Sequence, residues 1–172
     1  MARDPTQPLV PGAEYRVVVQ KENLKFSAAH FIAYKGFREP LHGHNYQVSV
    51  AISGVVGVDG YVLDFGVVKE LARDVCHELD ERVLVPAESD CLTIERESAS
   101  VTLTYEDGAR FVFPASDVVL LPIIHASAEE LATYVLGRMR DGLRAHAVRG
   151  LTHIEVGVSE APGQAAFCRA AF

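Results

Sequence analysis

Three histidines have the residue type and spacing that favour metal chemistry. His42 and His44 are two residues apart, so a strand would present both imidazoles on one face. His30 lies on the preceding predicted strand, and hairpin pairing would bring its imidazole across. Three neutral imidazoles with an open fourth position are the ligand set of a catalytic zinc ion, which acts as a Lewis acid. A His-x-His pair alone is equally compatible with an ordinary surface pair, and it is the third histidine that favours the metal site.

The elements that must position these histidines follow from the spacing of apolar residues. Val and aromatic residues predict a long first strand with a bulge near 21–23, and alternation predicts the second strand. Apolar residues at helical spacing predict two helices, with Asp64 and Ser127 as N-caps. The predicted order is strand, strand, helix, hairpin, helix, strand, strand, at 15–30, 44–52, 65–79, 101–113, 127–144, 151–159 and 166–172.

This order of elements favours an α+β fold, in which helices cover one face of an antiparallel sheet. Residues 12–172 are expected to form one domain, and residues 1–11 a flexible tail. Residues 92–121 are expected to be an insertion, in which Asp107-Gly108 between two apolar runs predicts a β-hairpin. The open edges and uncovered face of such a sheet favour oligomerisation.

The composition argues against several classes of partner and location. The formal net charge of −7 argues against nucleic acid and anionic membranes, which both attract basic surfaces. No apolar run approaches the roughly 20 residues of a membrane span, and the N-terminus does not resemble a signal peptide. The three cysteines show no CxxC spacing. A reduced, cytoplasmic setting is therefore expected.

Several motifs in a fixed order resemble a known family. They are Phe26-Ser27-Ala28-Ala29-His30, His42-Gly43-His44-Asn45-Tyr46, Val62-Leu63-Asp64-Phe65, Leu79-Asp80, Ser127-Ala128-Glu129-Glu130-Leu131-Ala132 and Val158-Ser159-Glu160. With them the chain resembles the 6-pyruvoyl-tetrahydropterin synthase family, which includes the 6-carboxy-tetrahydropterin synthases. The resemblance implies the tunnelling fold (T-fold), an antiparallel four-stranded sheet with two helices on one face. It also implies homo-hexamers built from two trimers, with the active sites between subunits.

The resemblance further implies a substrate and residues that bind it. Zinc in this family binds the side chain of 7,8-dihydroneopterin triphosphate, and a glutamate that Glu160 matches anchors the pterin ring. Glu160 also shares strand parity with Ile154 and Val158, which would direct its carboxylate toward a buried site. Ser127 stands where the family has a pterin-contacting threonine, although its predicted role as an N-cap explains it equally well.

The chain departs from the family at the catalytic cysteine, whose position is occupied by Arg38. Glu39 follows at once, as in a subgroup in which glutamate replaces the cysteine and the product shifts toward 6-hydroxymethyl-dihydropterin. A carboxylate near the substrate's diol can remove a hydroxyl proton and start the retro-aldol loss of the side chain. The alternative is that Glu39 is only a charged loop residue.

A second departure concerns the family's Asp-His pair. Asp80 matches the aspartate, but Glu81 stands in place of the histidine. A carboxylate cannot replace an imidazole that titrates near neutral pH. His77, one helical turn earlier, is a candidate substitute, and the alternative is an ordinary helix-surface residue.

Three functions are compatible with these residues. The leading one is a zinc-dependent lyase that cleaves the side chain of a dihydroneopterin to give 6-hydroxymethyl-7,8-dihydropterin. The second is a 6-pyruvoyl- or 6-carboxy-tetrahydropterin synthase, which the missing cysteine argues against. The third is a non-catalytic oligomeric protein that binds metal and pterin, which would not need an intact set of three histidines together with Glu160.

Overall fold

A computed structural model describes Val10 and residues 12–172 of the chain. The expected flexible tail at residues 1–11 therefore lies, except for Val10, outside the described residues. Among the residues that are described, no helix combines the length and apolarity needed to cross a membrane.

The described residues form eleven strands, two long helices and one short 3-10 turn. In chain order the strands and helices are β1 (Tyr15–His30), β2 (Ala33–Tyr34), β3 (Phe37–Arg38), β4 (His42–Gly54), α1 (Phe65–Leu79), β5 (Arg82–Pro86), β6 (Leu92–Arg96), β7 (Ser100–Tyr105), β8 (Arg110–Pro114), β9 (Val118–Leu121), α2 (Ala128–Ala145), β10 (Leu151–Ala161) and β11 (Gln164–Ala171). Both helices and all the strands predicted from the sequence are present.

The hairpin of β1 and β4 carries the three histidines. Its antiparallel register pairs His30 with His42 and Ala28 with His44. Between Gln20 and Lys25 the register shifts at the expected bulge: β1 advances five residues while β4 advances two. β1 therefore has three more residues than β4 across the bulge. Because this number is odd, the side chains of β1 that follow the bulge lie on the opposite faces from those expected by simple alternation. Even-numbered residues after the bulge, including His30, are therefore buried.

The main sheet has the strand order β11-β10-β4-β1-β5-β9. Its first four strands are antiparallel neighbours and form the expected four-stranded sheet. Two short strands, β5 and β9, extend it in parallel beyond β1. The sequence does not predict these two strands, because short apolar runs with no alternation look the same in a strand, a helix or a loop. The fold is α+β, as expected.

The predicted inserted hairpin is present as β7 and β8, with Gly108 at φ 81° in the turn. The structure adds β6, which pairs with the other side of β7 and completes a three-stranded sheet. The end of the expected insertion departs from this unit, because β9 joins the main sheet instead. The three-stranded sheet, residues 92–114, is hereafter called the insert sheet.

Two hydrophobic clusters hold the described residues together. The larger one lies between the main sheet and both helices, and contains Leu79 of α1, Leu131 and Met139 of α2, and Val156 of β10. The smaller one joins the insert sheet to Phe31, Ala33 and Val85. The ends of β1 and β4 that carry the three histidines lie between these two clusters.

Burial predicts which valines stabilise the fold. Val156→Ala removes two methyl groups from a fully buried side chain and is expected to lower the free energy of unfolding by about 2–3 kcal/mol. Val112→Ala, the matched control, changes a strand residue that is 61% exposed and should cost less than about 1 kcal/mol. Urea denaturation followed by circular dichroism measures both, and equal losses would contradict the assignment of the core.

Candidate metal centre and active site

The three predicted histidines meet at the loop end of the β1–β4 hairpin, where β1 ends and β4 begins. One potential ligand atom from each of His30, His42 and His44 lies within 4.8 Å of the other two. The ring centroids are 4.6 to 5.1 Å apart. His30 is buried, His44 is half-buried and His42 is exposed. The cluster is thus closed on its inner side and accessible to a small molecule from outside.

Backbone carbonyls orient two of the imidazoles. His30 Nδ1 lies 2.6 Å from the carbonyl oxygen of Ala126, and His42 Nδ1 lies 2.9 Å from that of Pro40. A carbonyl oxygen only accepts, so each Nδ1 must donate, and in a neutral ring the lone pair is then on Nε2. Histidines that bind metals are oriented in this way by their second nitrogen.

His30 supplies the strongest sign that the cluster fits a metal ion. Its Nε2 is buried and has no hydrogen-bond partner within the described part of the chain. Burial lowers the pKa of His30, which favours the neutral ring that a metal requires. A buried polar atom without a partner costs free energy, and a bound cation at Nε2 would remove that cost. The residues present therefore fit a divalent metal such as zinc.

Glu160 and Tyr46 lie against the histidine cluster, and the charge of Glu39 also reaches Tyr46. Glu160 Oε1 lies 4.0 Å from His30 Nε2. The Tyr46 ring meets those of His30 and His44 edge-on, with centroids 5.8 and 5.6 Å apart. Burial and the negative charges of Glu160 and Glu39 raise the pKa of Tyr46, whose buried hydroxyl has no partner among the described residues. The phenol therefore remains protonated and can donate a hydrogen bond.

Glu39 is held by the backbone just before the histidine strand. Its amide donates to the carbonyl oxygen of Ile32 at 2.9 Å. The amide of Ile32 donates in return to Glu39 Oε2 at 3.0 Å. This pair of hydrogen bonds closes the loop that contains β2 and β3, and it leaves the second carboxylate oxygen, Oε1, available. Glu39 is half-buried.

Asp80 and His77 are placed differently from Glu39. Asp80 caps the C-terminus of α1, and its Oδ1 accepts a hydrogen bond from the amide of Ser27 at 2.7 Å. The carboxylate thereby ties the end of α1 to β1. His77 is exposed on α1 and is not a member of the histidine cluster. Glu160 thus approaches the imidazoles and Glu39 acts on the adjacent Tyr46, whereas His77 lies outside the cluster.

Ser127 caps α2, as expected, and accepts a hydrogen bond from the amide of Glu130 at 3.3 Å. The side chain of Glu130 reaches back beyond the cap, where its Oε2 accepts from the amide of Ile124 at 2.7 Å. Ser127 directly follows Ala126, whose carbonyl oxygen orients His30. The cap therefore positions the helix start beside the histidine cluster, whether or not its hydroxyl also contacts a ligand.

Two residues near the site are not identified from the sequence. The first is Tyr46. Its strand parity with His42 and His44 indicates that the three side chains share a face, but parity does not reveal that the hydroxyl is buried. The second is His125, which is half-buried and whose Nδ1 lies 3.1 Å from the carbonyl oxygen of Ala33. No sequence pattern signals that contact, because the two residues are 92 positions apart.

The sequence model of the 6-pyruvoyl tetrahydropterin synthase family matches residues 19–171. The chain belongs to this family. All the site residues described above lie within the matched region.

Three individual proteins add detail. A Methanocaldococcus jannaschii protein, provisionally named a 6-carboxy-5,6,7,8-tetrahydropterin synthase, is 32% identical over 147 residues, 85% of this chain and 90% of that protein. A solved Plasmodium vivax 6-pyruvoyltetrahydropterin synthase, in which a catalytic glutamate is replaced by alanine, is 39% identical with a TM-score of 0.88, covering 93% of this chain and 99% of the other. A Pyrococcus furiosus dihydroneopterin monophosphate aldolase is 39% identical over 59 residues, 34% of this chain and 50% of that protein.

The metal site gives a direct prediction. His42→Ala should reduce the divalent metal content from about one ion per chain to a small fraction, because two imidazoles and water hold zinc far more weakly than three. His77→Ala is the matched control, since it removes an exposed histidine outside the cluster. Elemental analysis after gel filtration measures both. Equal metal content in wild type and His42→Ala would place the metal elsewhere.

Proposed function

We propose that this protein is a zinc-dependent lyase that cleaves the side chain of 7,8-dihydroneopterin triphosphate, or a related dihydroneopterin, to give 6-hydroxymethyl-7,8-dihydropterin. The observation that carries the proposal is the position of Glu39. It is the only carboxylate in the stretch between His30 and His42, which contains no cysteine. The negative charges of Glu39 and Glu160 both raise the pKa of Tyr46.

The division of roles follows from the chemistry of each group. His30, His42 and His44 would hold zinc, which when bound supplies Lewis-acid polarisation of the hydroxyl groups on the substrate's side chain. Glu160 would anchor the pterin, whose amino and ring N–H groups form a two-donor edge that a carboxylate can accept. The Tyr46 hydroxyl, protonated and without a partner in the described structure, is a further donor beside the bound ring.

Glu39 would act as the general base. Its carboxylate takes the proton of the second side-chain hydroxyl, and the bond between the first and second side-chain carbons then breaks. The electron pair moves onto the first carbon, where the pterin ring delocalises it until a proton replaces the lost fragment. The fragment leaves as an aldehyde, so the step needs no oxidant or reductant. Asp80 and His77 are less suited, because the charge of Glu39 reaches Tyr46 beside the cluster, whereas Asp80 ties the end of α1 to Ser27 and His77 is exposed outside the cluster.

The names of two similar proteins support the proposal. The Plasmodium vivax enzyme is described as having a catalytic glutamate. The Pyrococcus furiosus protein is named an aldolase that acts on dihydroneopterin monophosphate. The name of the Methanocaldococcus jannaschii relative favours a second candidate, formation of 6-carboxy-tetrahydropterin. Chromatography of the products from 7,8-dihydroneopterin triphosphate distinguishes the two, and a purely binding protein would give no product.

A homo-hexamer of two trimers is part of the proposal. β11 lies at one edge of the main sheet, and β5 covers only the Ala28–Ala29 part of β1. On the face away from the helices, Phe167 is 66% exposed and Val18 is 47% exposed. Unpaired strand edges and large exposed apolar side chains favour association.

Light scattering coupled to gel filtration tests this assembly. At micromolar concentration we expect a single species of about six times the 18.7 kDa chain mass. A monomer under these conditions would contradict the assembly, and a stable trimer would contradict only its second step.

The catalytic assignment is tested at Glu39. Glu39→Gln keeps the shape and the backbone hydrogen bond but loses the base, so kcat should fall by about 10²–10⁴ while metal content and KM stay close to wild type. Glu95→Gln, an exposed carboxylate of the insert sheet, is the matched control and should be fully active. Steady-state product analysis measures both variants. Near-normal turnover in Glu39→Gln would instead direct attention to Asp80 and His77.

A further inference from the structure

The two-stranded ribbon of β2 and β3, residues 33–38, directly precedes Glu39 and is too short to be stable on its own. β2 and β3 pair through only two residues each, Ala33 with Arg38 and Tyr34 with Phe37. An isolated two-stranded ribbon is marginally stable even when it is longer. Glu39 immediately follows β3, so any movement of the ribbon also moves the carboxylate. Support must therefore come from outside the ribbon.

The insert sheet supplies this support through Arg38. The Arg38 guanidinium lies over the rings of Tyr105 and Phe111, at 6.0 and 5.2 Å from their centroids. Its Nη1 donates to the carbonyl oxygen of Glu39 at 3.0 Å. A guanidinium combines a flat face that stacks on aromatic rings with donors in its plane, and a lysine ammonium does not. One side chain thus joins the insert sheet to the backbone of Glu39.

Further contacts fix the rest of the ribbon to the same sheet. The Tyr105 hydroxyl donates to the carbonyl oxygen of Tyr34 at 3.1 Å. The amide of Gly36 donates to Glu106 Oε2 at 3.0 Å. Phe31, just before the ribbon, stacks on Phe111 with ring centroids 4.9 Å apart. The contacts of the insert sheet therefore converge on the loop that presents Glu39.

We propose that the insert sheet is a positioning device for the active site, and that Arg38 is the positioning residue through which it fixes Glu39. The proposal deepens the proposed function and rests on Glu39 as the base. Arg38 does not touch the reacting atoms in this scheme. It restrains the Glu39 main chain, so that the carboxylate stays beside the histidine cluster in the orientation set by its bond with Ile32.

The test combines kinetics with a measurement independent of turnover. Arg38→Met should lower kcat about 10–100-fold, because a displacement of about 1 Å at a catalytic group can cost roughly 10² in rate. KM and metal content should stay within about twofold. In a Glu39→Gln background, Arg38→Met should have no further effect, since a residue that acts through Glu39 loses its influence when the base is gone. Arg110→Met, on an exposed arginine of the insert sheet, is the control with wild-type kinetics.

Amide hydrogen exchange reports the positioning directly. Arg38→Met should speed exchange at Ile32 and Glu39 by about tenfold or more, because their mutual hydrogen bonds open more often, while the amides of β4 stay protected. Arg110→Met should leave all of them unchanged. If Arg38→Met fails to fold, Arg38→Lys carries the test, with an expected loss in kcat of about threefold to tenfold.

The outcomes separate the two levels of inference. Wild-type kcat and wild-type exchange in Arg38→Met, with Glu39→Gln inactive, would overturn the positioning role and leave the proposed function standing. A full additional loss from Arg38→Met in the Glu39→Gln background would also overturn it, since Arg38 would then act independently of the base. Full activity in Glu39→Gln alone would refute the base and the positioning role together.

Discussion

The site depends on one feature of β1, the bulge between Gln20 and Lys25 that inserts an odd number of residues relative to β4. Side chains alternate along a strand, so an odd insertion exchanges the inner and outer faces for every residue that follows. Val19 is buried before the bulge, and Phe26 and His30 are buried after it. Without the exchange, the imidazole of His30 would face away from Tyr46 and Glu160, and the cluster could not form.

Burial of His30 then sets the electrostatics of the site. Burial lowers the pKa of His30 and so favours the neutral ring, and its Nε2, which has no partner among the described residues, suits a metal ion at that point. The carboxylates of Glu160 and Glu39 approach from β10 and from the ribbon after β1, and place negative charge beside the cluster. A positive ion and a substrate with N–H donors both match this arrangement.

The parts of the chain around the site are supported by different cores. The main cluster beneath both helices holds β1, β4 and β10, and with them the histidines and Glu160. The smaller cluster holds the insert sheet and the chain between Phe31 and Ala33, and with it the approach to Glu39. The histidine cluster with Glu160 and the proposed base Glu39 are thereby held by separately packed units, which meet at the loop end of the β1–β4 hairpin.

The sequence by itself determined the local features: the two helices with their caps Asp64 and Ser127, the bulge, the inserted hairpin and the spacing of the histidine motif. Each is encoded within a few neighbouring residues, as apolar period, cap chemistry or turn chemistry. Only the tertiary structure decided the parallel strands β5 and β9, the third strand of the insert sheet and the stacking of Arg38 on Tyr105 and Phe111. The parallel strands and the Arg38 contacts join residues tens of positions apart, and their energy comes from packing and desolvation that no local pattern records.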